Sequence, residues 1–330
     1  MASHSEGDPN RGPLPDPAGS GTATGTDAGS LGRGAASITL RPPPSLPATK
    51  RPKWLVMLAA VILVVCLCWQ VPKEIGRWYL AAAEESYLDN EMMAALANAD
   101  RAIRWDSYNV WLFLGDSSSA GLYRRRAELK LQIKDLIGSL ADCNRAVELA
   151  SRDTWGYQLR SRVFQRMRCH VEAIQDCTMV VELTKEKSFN ALNGRAYARA
   201  LANMEIKEGL ADIQMAFKLL KHQNDNAMLD TRGYLHYLDG NLSAALRDME
   251  RAVSLAKKQT DAERARLKFA MRYQVDQREL KQASLVWDHH MAVLYHHRGL
   301  VYQKLGNVND AFTDLRRAKE LGYNPDEGVW

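Results

Sequence analysis

Arginine and aspartate recur in this chain at a fixed distance. Arg126, Arg160, Arg195, Arg232 and Arg298 are followed, sixteen or seventeen residues on, by Asp142, Asp176, Asp212, Asp248 and Asp314. A planar guanidinium and a carboxylate so repeated could hold a charged ligand, or could bind each other in a bidentate ion pair. A weaker, earlier copy of the pattern has Ala82 and Asn98 at the two positions, so both charges are lost together there. Joint presence and joint loss point to a structural pair, within one helical hairpin or between neighbouring hairpins.

Four histidines, His289, His290, His296 and His297, have the composition of a metal site but not its spacing. The two pairs are seven residues apart, about 10.5 Å along a helix. One zinc ion needs ligands at i and i+3 or i+4, with bonds near 2.1 Å. These histidines are expected to face solvent or a groove, and no metal or other cofactor is expected. The five cysteines do not form a disulfide framework either. Cys66 and Cys68 fall in an apolar run, Cys169 is left over, and Cys143 and Cys177 occupy equivalent positions whose side chains point the same way. Free thiols are expected throughout. The chain has no phosphate-cradling Gly-rich loop, nucleophile elbow, zinc-protease His pair or clustered Cys ligands, so it is read as no enzyme.

The elements that carry these residues repeat with a period close to 34 residues. Each copy has a small residue just after the recurrent arginine: Ala127, Ser161, Ala196, Gly233 and Gly299. A second signature follows, small-x-x-Asp-x-x-x-small, as in Ser139/Asp142/Ala146 and Ala311/Asp314/Ala318. Leu149, Leu183, Leu219, Leu255 and Leu321 close the copies. Two amphipathic helical runs per period make a helical solenoid, since one hairpin cannot bury its apolar stripe alone. Small residues at the crossing points let two helices approach closely.

These residues resemble the tetratricopeptide repeat. The frames are 120–153, 154–187, 189–223, 226–259 and 292–325, with a weaker one at 76–109 carrying Tyr79, Ala83, Ala95 and Ala102. A turn glycine falls at position fifteen as Gly240 and Gly306, whereas Lys130, Arg199 and His236 depart from the pattern at position eleven. The late-repeat proline is missing, with Pro325 two residues beyond its place. The segment 260–291 fits no frame and reads as a charged helical insertion. The resemblance implies an all-α, right-handed superhelical solenoid over 76–325. It also implies a concave groove lined by the first helix of each repeat. That groove would present Trp155, Gln158, Arg162, Arg166, Asn193, Tyr197, Tyr234, Tyr237 and His296 to a protein or peptide. Arginine beside tyrosine and tryptophan is the composition of binding hot spots. The family's Lys and Asn clamp for a terminal carboxylate is not reproduced. A nucleic-acid partner is not expected, because Glu128, Asp230 and Leu300 interrupt any basic groove and the net charge is only +5.

The N-terminal part has a different character. Residues 1–52 are rich in Pro, Gly, Ser, Thr and Ala, with no aromatic residue, and read as a disordered tail. A transmembrane helix is expected over 53–72. Its core, residues 54–71, has Gln70 as the one strongly polar member and Trp54 and Trp69 near its ends. Eighteen residues at about 1.5 Å each span roughly 27 Å, close to a bilayer core. A cleaved signal would start near the N-terminus, not after a tail of about fifty residues. Arg41, Lys50, Arg51 and Lys53 precede the span, against Lys73 and Arg77 after it. This bias places the N-terminus in the cytoplasm and the repeats outside. The combined reading is a single-pass cell-membrane protein that acts as a non-catalytic scaffold or adaptor. The alternative is an accessory subunit of a membrane-bound enzyme or of a cell-envelope or secretion machine.

Overall fold

The computed structural model describes residues 52–110, 118–221, 224–273 and 278–323. The expected tail, up to Arg51, and Pro325 lie outside the described residues. The chain divides at Pro52, and every helix belongs to the unit Lys53–Trp330.

Among the described residues are twelve α-helices and no strand. They run α1 (Lys53–Leu88), α2 (Met92–Val110), α3 (Ser118–Gln132), α4 (Leu136–Leu149), α5 (Thr154–Arg166) and α6 (His170–Leu183). The order continues with α7 (Phe189–Ala202), α8 (Ile206–Leu220), α9 (Asn226–Leu238), α10 (Leu242–Arg272), α11 (Arg278–Leu305) and α12 (Val308–Glu320). Each odd-numbered helix packs on the next even one, and hairpins stack on their neighbours. The weak first frame is a hairpin in fact, made by the end of α1 and α2, with Ala83, Ala95 and Ala102 fully buried.

Sequence sets the hairpin geometry at two levels. Asp135, Asp153, Ser188, Asp225 and Asn241 accept hydrogen bonds from the free N–H groups that open α4, α5, α7, α9 and α10. Between the two helices of every hairpin, position fifteen turns left-handed. Gly240 and Gly306 take φ values of 85° and 81°, and the equivalent Asn90, Lys134, Arg168 and Asn203 take 62°, 65°, 59° and 51°. Inside the hairpins, small residues mark close approaches. A Cβ on Gly299 would stand 2.9 Å from the Leu315 side chain, nearer than such atoms pack.

The core follows the stack. Ala83, Ala95, Ala99 and Leu129 form one cluster, and Ala127, Leu131, Cys143, Leu159 and Val163 form the next. A larger cluster includes Val180, Leu192, Ile213, Leu229, Leu235 and Leu294. Each side chain of this size contributes about 1.5–3 kcal/mol on full burial.

Two features differ from an ideal repeat array. The segment 260–291 is not a separate helix between repeats. Its first part lengthens α10, and its second lengthens α11 at the N-terminal end. Apolar and charged residues continue the helical period of each repeat helix, so neither helix has a reason to stop at the frame boundary. Arg264 pairs with Asp288 at 2.8 Å and ties the two extensions together, and Arg278 reaches Asp89, in the turn after α1, at 3.1 Å. The other feature is α1, which runs unbroken through Pro72. Every described side chain from Trp54 to Val71 is exposed, so this stretch is no core helix. The Trp69 side chain lies outside the described ones.

Candidate functional site

The recurrent arginines and aspartates face each other. In each of the five copies Nε and Nη2 of the arginine donate to the two carboxylate oxygens of the aspartate in the same hairpin. For Arg160 and Asp176 the distances are 2.8 and 2.7 Å. Arg126–Asp142, Arg195–Asp212, Arg232–Asp248 and Arg298–Asp314 repeat the fork. In two copies the third nitrogen also reaches the preceding hairpin: Arg126 Nη1 donates to Asp100 at 2.8 Å, and Arg160 Nη1 to Asn144 at 3.0 Å. The hydrogen bond to Asp142 holds Arg126 above its ordinary pKa against the opposing pull of burial. These charges are consumed in the fold.

The cysteines are free in the described residues, and burial pushes the Cys143 thiol up to about 12 and Cys177 to about 11. Neither is a nucleophile at neutral pH.

The expected groove residues fall in different settings. Trp155, Gln158 and Arg162 on α5 line a cavity of about 400 Å³ together with Arg124, Arg125 and Glu128 on α3. Trp155 is 67% exposed there. Arg125 lies over the Tyr87 ring at 4.7 Å and pairs with Glu84 at 2.7 Å. Arg124 pairs with Asp153 at 3.0 Å, the residue that caps α5. Arg162 is exposed and supplies the pocket's outward-facing cation. Arg166, one turn on, is half-buried.

Asn193 and Tyr197 on α7 line a second cavity, of about 320 Å³, with residues of α9 and α11. Tyr234, Tyr237 and His296 line neither cavity. Tyr234 stacks on His297 at 4.3 Å and on Tyr237 at 6.0 Å between centroids, Lys304 lies 4.7 Å from the Tyr237 ring, and His296 stacks on Tyr323 at 4.0 Å. Burial, then the neighbouring His297, brings His296 down to about 4.

Sequence reasoning missed the centre of this cluster. His297 is only 2% exposed, and its Nδ1 lies 2.9 and 3.0 Å from the carboxylate oxygens of Asp230, itself buried. A carboxylate that orients an imidazole is a familiar part of general-base machinery. Here the ring is closed under Tyr234, so the pair works as a buried polar link between α9 and α11. Position six, where His297 falls, is not a groove position in the repeat, and nothing in the local sequence marks its distant partner. The described residues include no group of three or more His, Cys, Asp or Glu arranged to hold a metal ion.

No protein-family profile matches the chain, and no curated protein does. Solved structures do. A tetratricopeptide repeat protein from Parabacteroides merdae ATCC 43184 matches at 12% identity and a TM-score of 0.50, covering 76% of this chain and 94% of its own. The fold is the tetratricopeptide-repeat solenoid. Two weaker likenesses are MamA, at 10% identity, TM-score 0.44, and 57% and 95% coverage, and YrrB, described as a tetratricopeptide protein with an unusual peptide-binding site. YrrB matches at 18% identity, TM-score 0.36, and 62% and 86% coverage. In this tetratricopeptide domain the first helices line the two cavities, as they do in the repeat frame. The extended α11 is an addition to that frame.

Proposed function

We propose that this protein is a membrane-anchored, non-catalytic scaffold that holds a protein or peptide partner in the groove of its tetratricopeptide domain. The observation that carries the reading is the cavity between α3 and α5. There an exposed tryptophan, an exposed arginine and a half-buried glutamine share an open concavity of about 400 Å³. Interfaces draw most of their energy from such Trp and Arg anchors. Anchoring rests on the exposed apolar side chains of residues 54–71, which are too extensive to leave in water. The Lys and Arg bias around the span supports a cytoplasmic N-terminus with the repeats on the far side.

Crosslinking in native membranes, with wild type beside a Trp155→Ala/Arg162→Ala variant, tests the reading. A chain captured by wild type and lost in the folded variant supports it, and equal capture moves the partner off this groove. A reporter fused after Trp330 tests the orientation. It should be active outside the cytoplasm, and activity confined to the cytoplasm reverses the topology.

A further inference from the structure

The second cavity, between α7, α9 and the α11 extension, contains an unexplained glycine. Gly194 sits in the middle of α7, where glycine costs helix stability. Gly209, Gly233 and Gly299 are also helical, but a Cβ on any of them would crowd Leu235, Met249 or Leu315. A Cβ on Gly194 would meet nothing within 4 Å. Among the described glycines inside helices it alone opens on empty space, and that space is the cavity of about 320 Å³. Packing does not require this glycine, and the missing side chain leaves the α7 backbone open to close approach by a ligand.

The remaining lining states what the ligand is. Val286 and Val293 of α11 and Ala227 of α9 make apolar walls. The polar lining includes Asp230, whose carboxylate is already engaged by His297, and no lysine or arginine. Asn193 Oδ1 and His290 Nε2 are shielded from solvent and have no hydrogen-bond partner among the described residues. Burial keeps His290 below the ordinary histidine value, so its imidazole is neutral at pH 7 and able to accept. Tyr197, His289 and His290 add aromatic rings. Apolar walls beside unpartnered acceptors and ring faces suit an aliphatic stem with a cationic head.

We propose that this cavity receives the lysine or arginine side chain of a partner peptide. The proposal rests on the partner-binding reading above and gives the α11 extension a purpose, since Val286, His289 and His290 lie outside the repeat frames and form one wall.

The test uses the full chain in detergent and capped alanine pentapeptides with one central arginine, lysine, leucine or glutamate, followed by ligand-observed NMR. The arginine and lysine peptides should bind, and the leucine and glutamate peptides should bind at least about tenfold more weakly. Gly194→Leu fills the space and should weaken the arginine peptide by about tenfold or more, without lowering the melting temperature. Asn193→Ala, which removes an acceptor without adding bulk, should also weaken it and serves if the larger change fails to fold. Gly194→Ala should raise the melting temperature, because no neighbour obstructs it. Undiminished binding to folded Gly194→Leu overturns the proposal, and so does equal binding of the leucine peptide. Butylguanidinium binding as tightly as the peptide also overturns it and makes the cavity a small-molecule site. If no basic peptide binds while capture through Trp155 and Arg162 stands, the cavity assignment alone falls.

Discussion

The five Arg–Asp forks show how a residue pair that looks like a ligand site can be a fastener. Each aspartate of the set from Asp142 to Asp314 lies between the two helices of its hairpin, and its arginine satisfies both oxygens. Removing one partner leaves a largely buried charge unpaired, a cost of about 3 kcal/mol. Arg160→Ala and Asp176→Ala should each destabilise by about that much, and the double variant by clearly less than the sum, as a thermal-melt double-mutant cycle would read. Additive losses would show that the fork does not couple the two helices. A second residue-scale prediction concerns His296. Its folded-state pKa, about 4, lies below the ordinary 6.5 because of burial first and His297 second. The unfolded chain therefore takes up this proton first as the pH drops. Stability from this group is intact above pH 6.5, declines below it, and levels off under about 4. The loss should be about 1–2 kcal/mol once solvent screening at this half-buried ring is allowed for. His296→Phe keeps a ring against Tyr323 and should flatten that limb of the pH–stability curve, and an unchanged limb would assign the loss to other groups.

At the scale of the helix, the repeat signature was legible because small residues and turns obey local rules. Ala83, Ala95 and Ala102 sufficed to reveal a first hairpin that lacks the charged pair. The left-handed turn at position fifteen is favoured by residue type at Gly240, Gly306, Asn90 and Asn203, yet Lys134 and Arg168 adopt it too. Lys134 and Arg168 hold it against the steric cost that any Cβ meets there. Lys134→Gly should therefore raise stability by about 1 kcal/mol, measurable as a higher unfolding midpoint. A lower midpoint would mean that contacts of the lysine outweigh the backbone cost. What sequence did not reveal is the length of α11. Its period continues upstream without a break, and no proline or glycine separates insertion from repeat. That extension places Val286, His289 and His290 over α7 and α9. Tyr234, Tyr237 and His296, expected on the groove, are half-buried and packed against ring or cationic neighbours within the α9–α11 part of the fold. Asp230 was likewise expected at the groove, and its carboxylate is turned to His297, a contact between residues 67 apart in sequence.

At the scale of the whole domain, six stacked hairpins share their stability among near-neighbour interfaces, so a packing defect in one repeat can imitate a binding defect in another. Tyr234→Ala would be such a defect, because Tyr234 packs against the core. Trp155 and Arg162 are free of this ambiguity, since both side chains are exposed. The central claim is that the cavity between α3 and α5 holds a protein partner. Its most direct test is quantitative capture of the crosslinked partner by Trp155→Ala/Arg162→Ala, with circular dichroism confirming unchanged helix content. The account predicts a loss of more than about tenfold, or about 1.4 kcal/mol. Full capture by the folded double variant would contradict it.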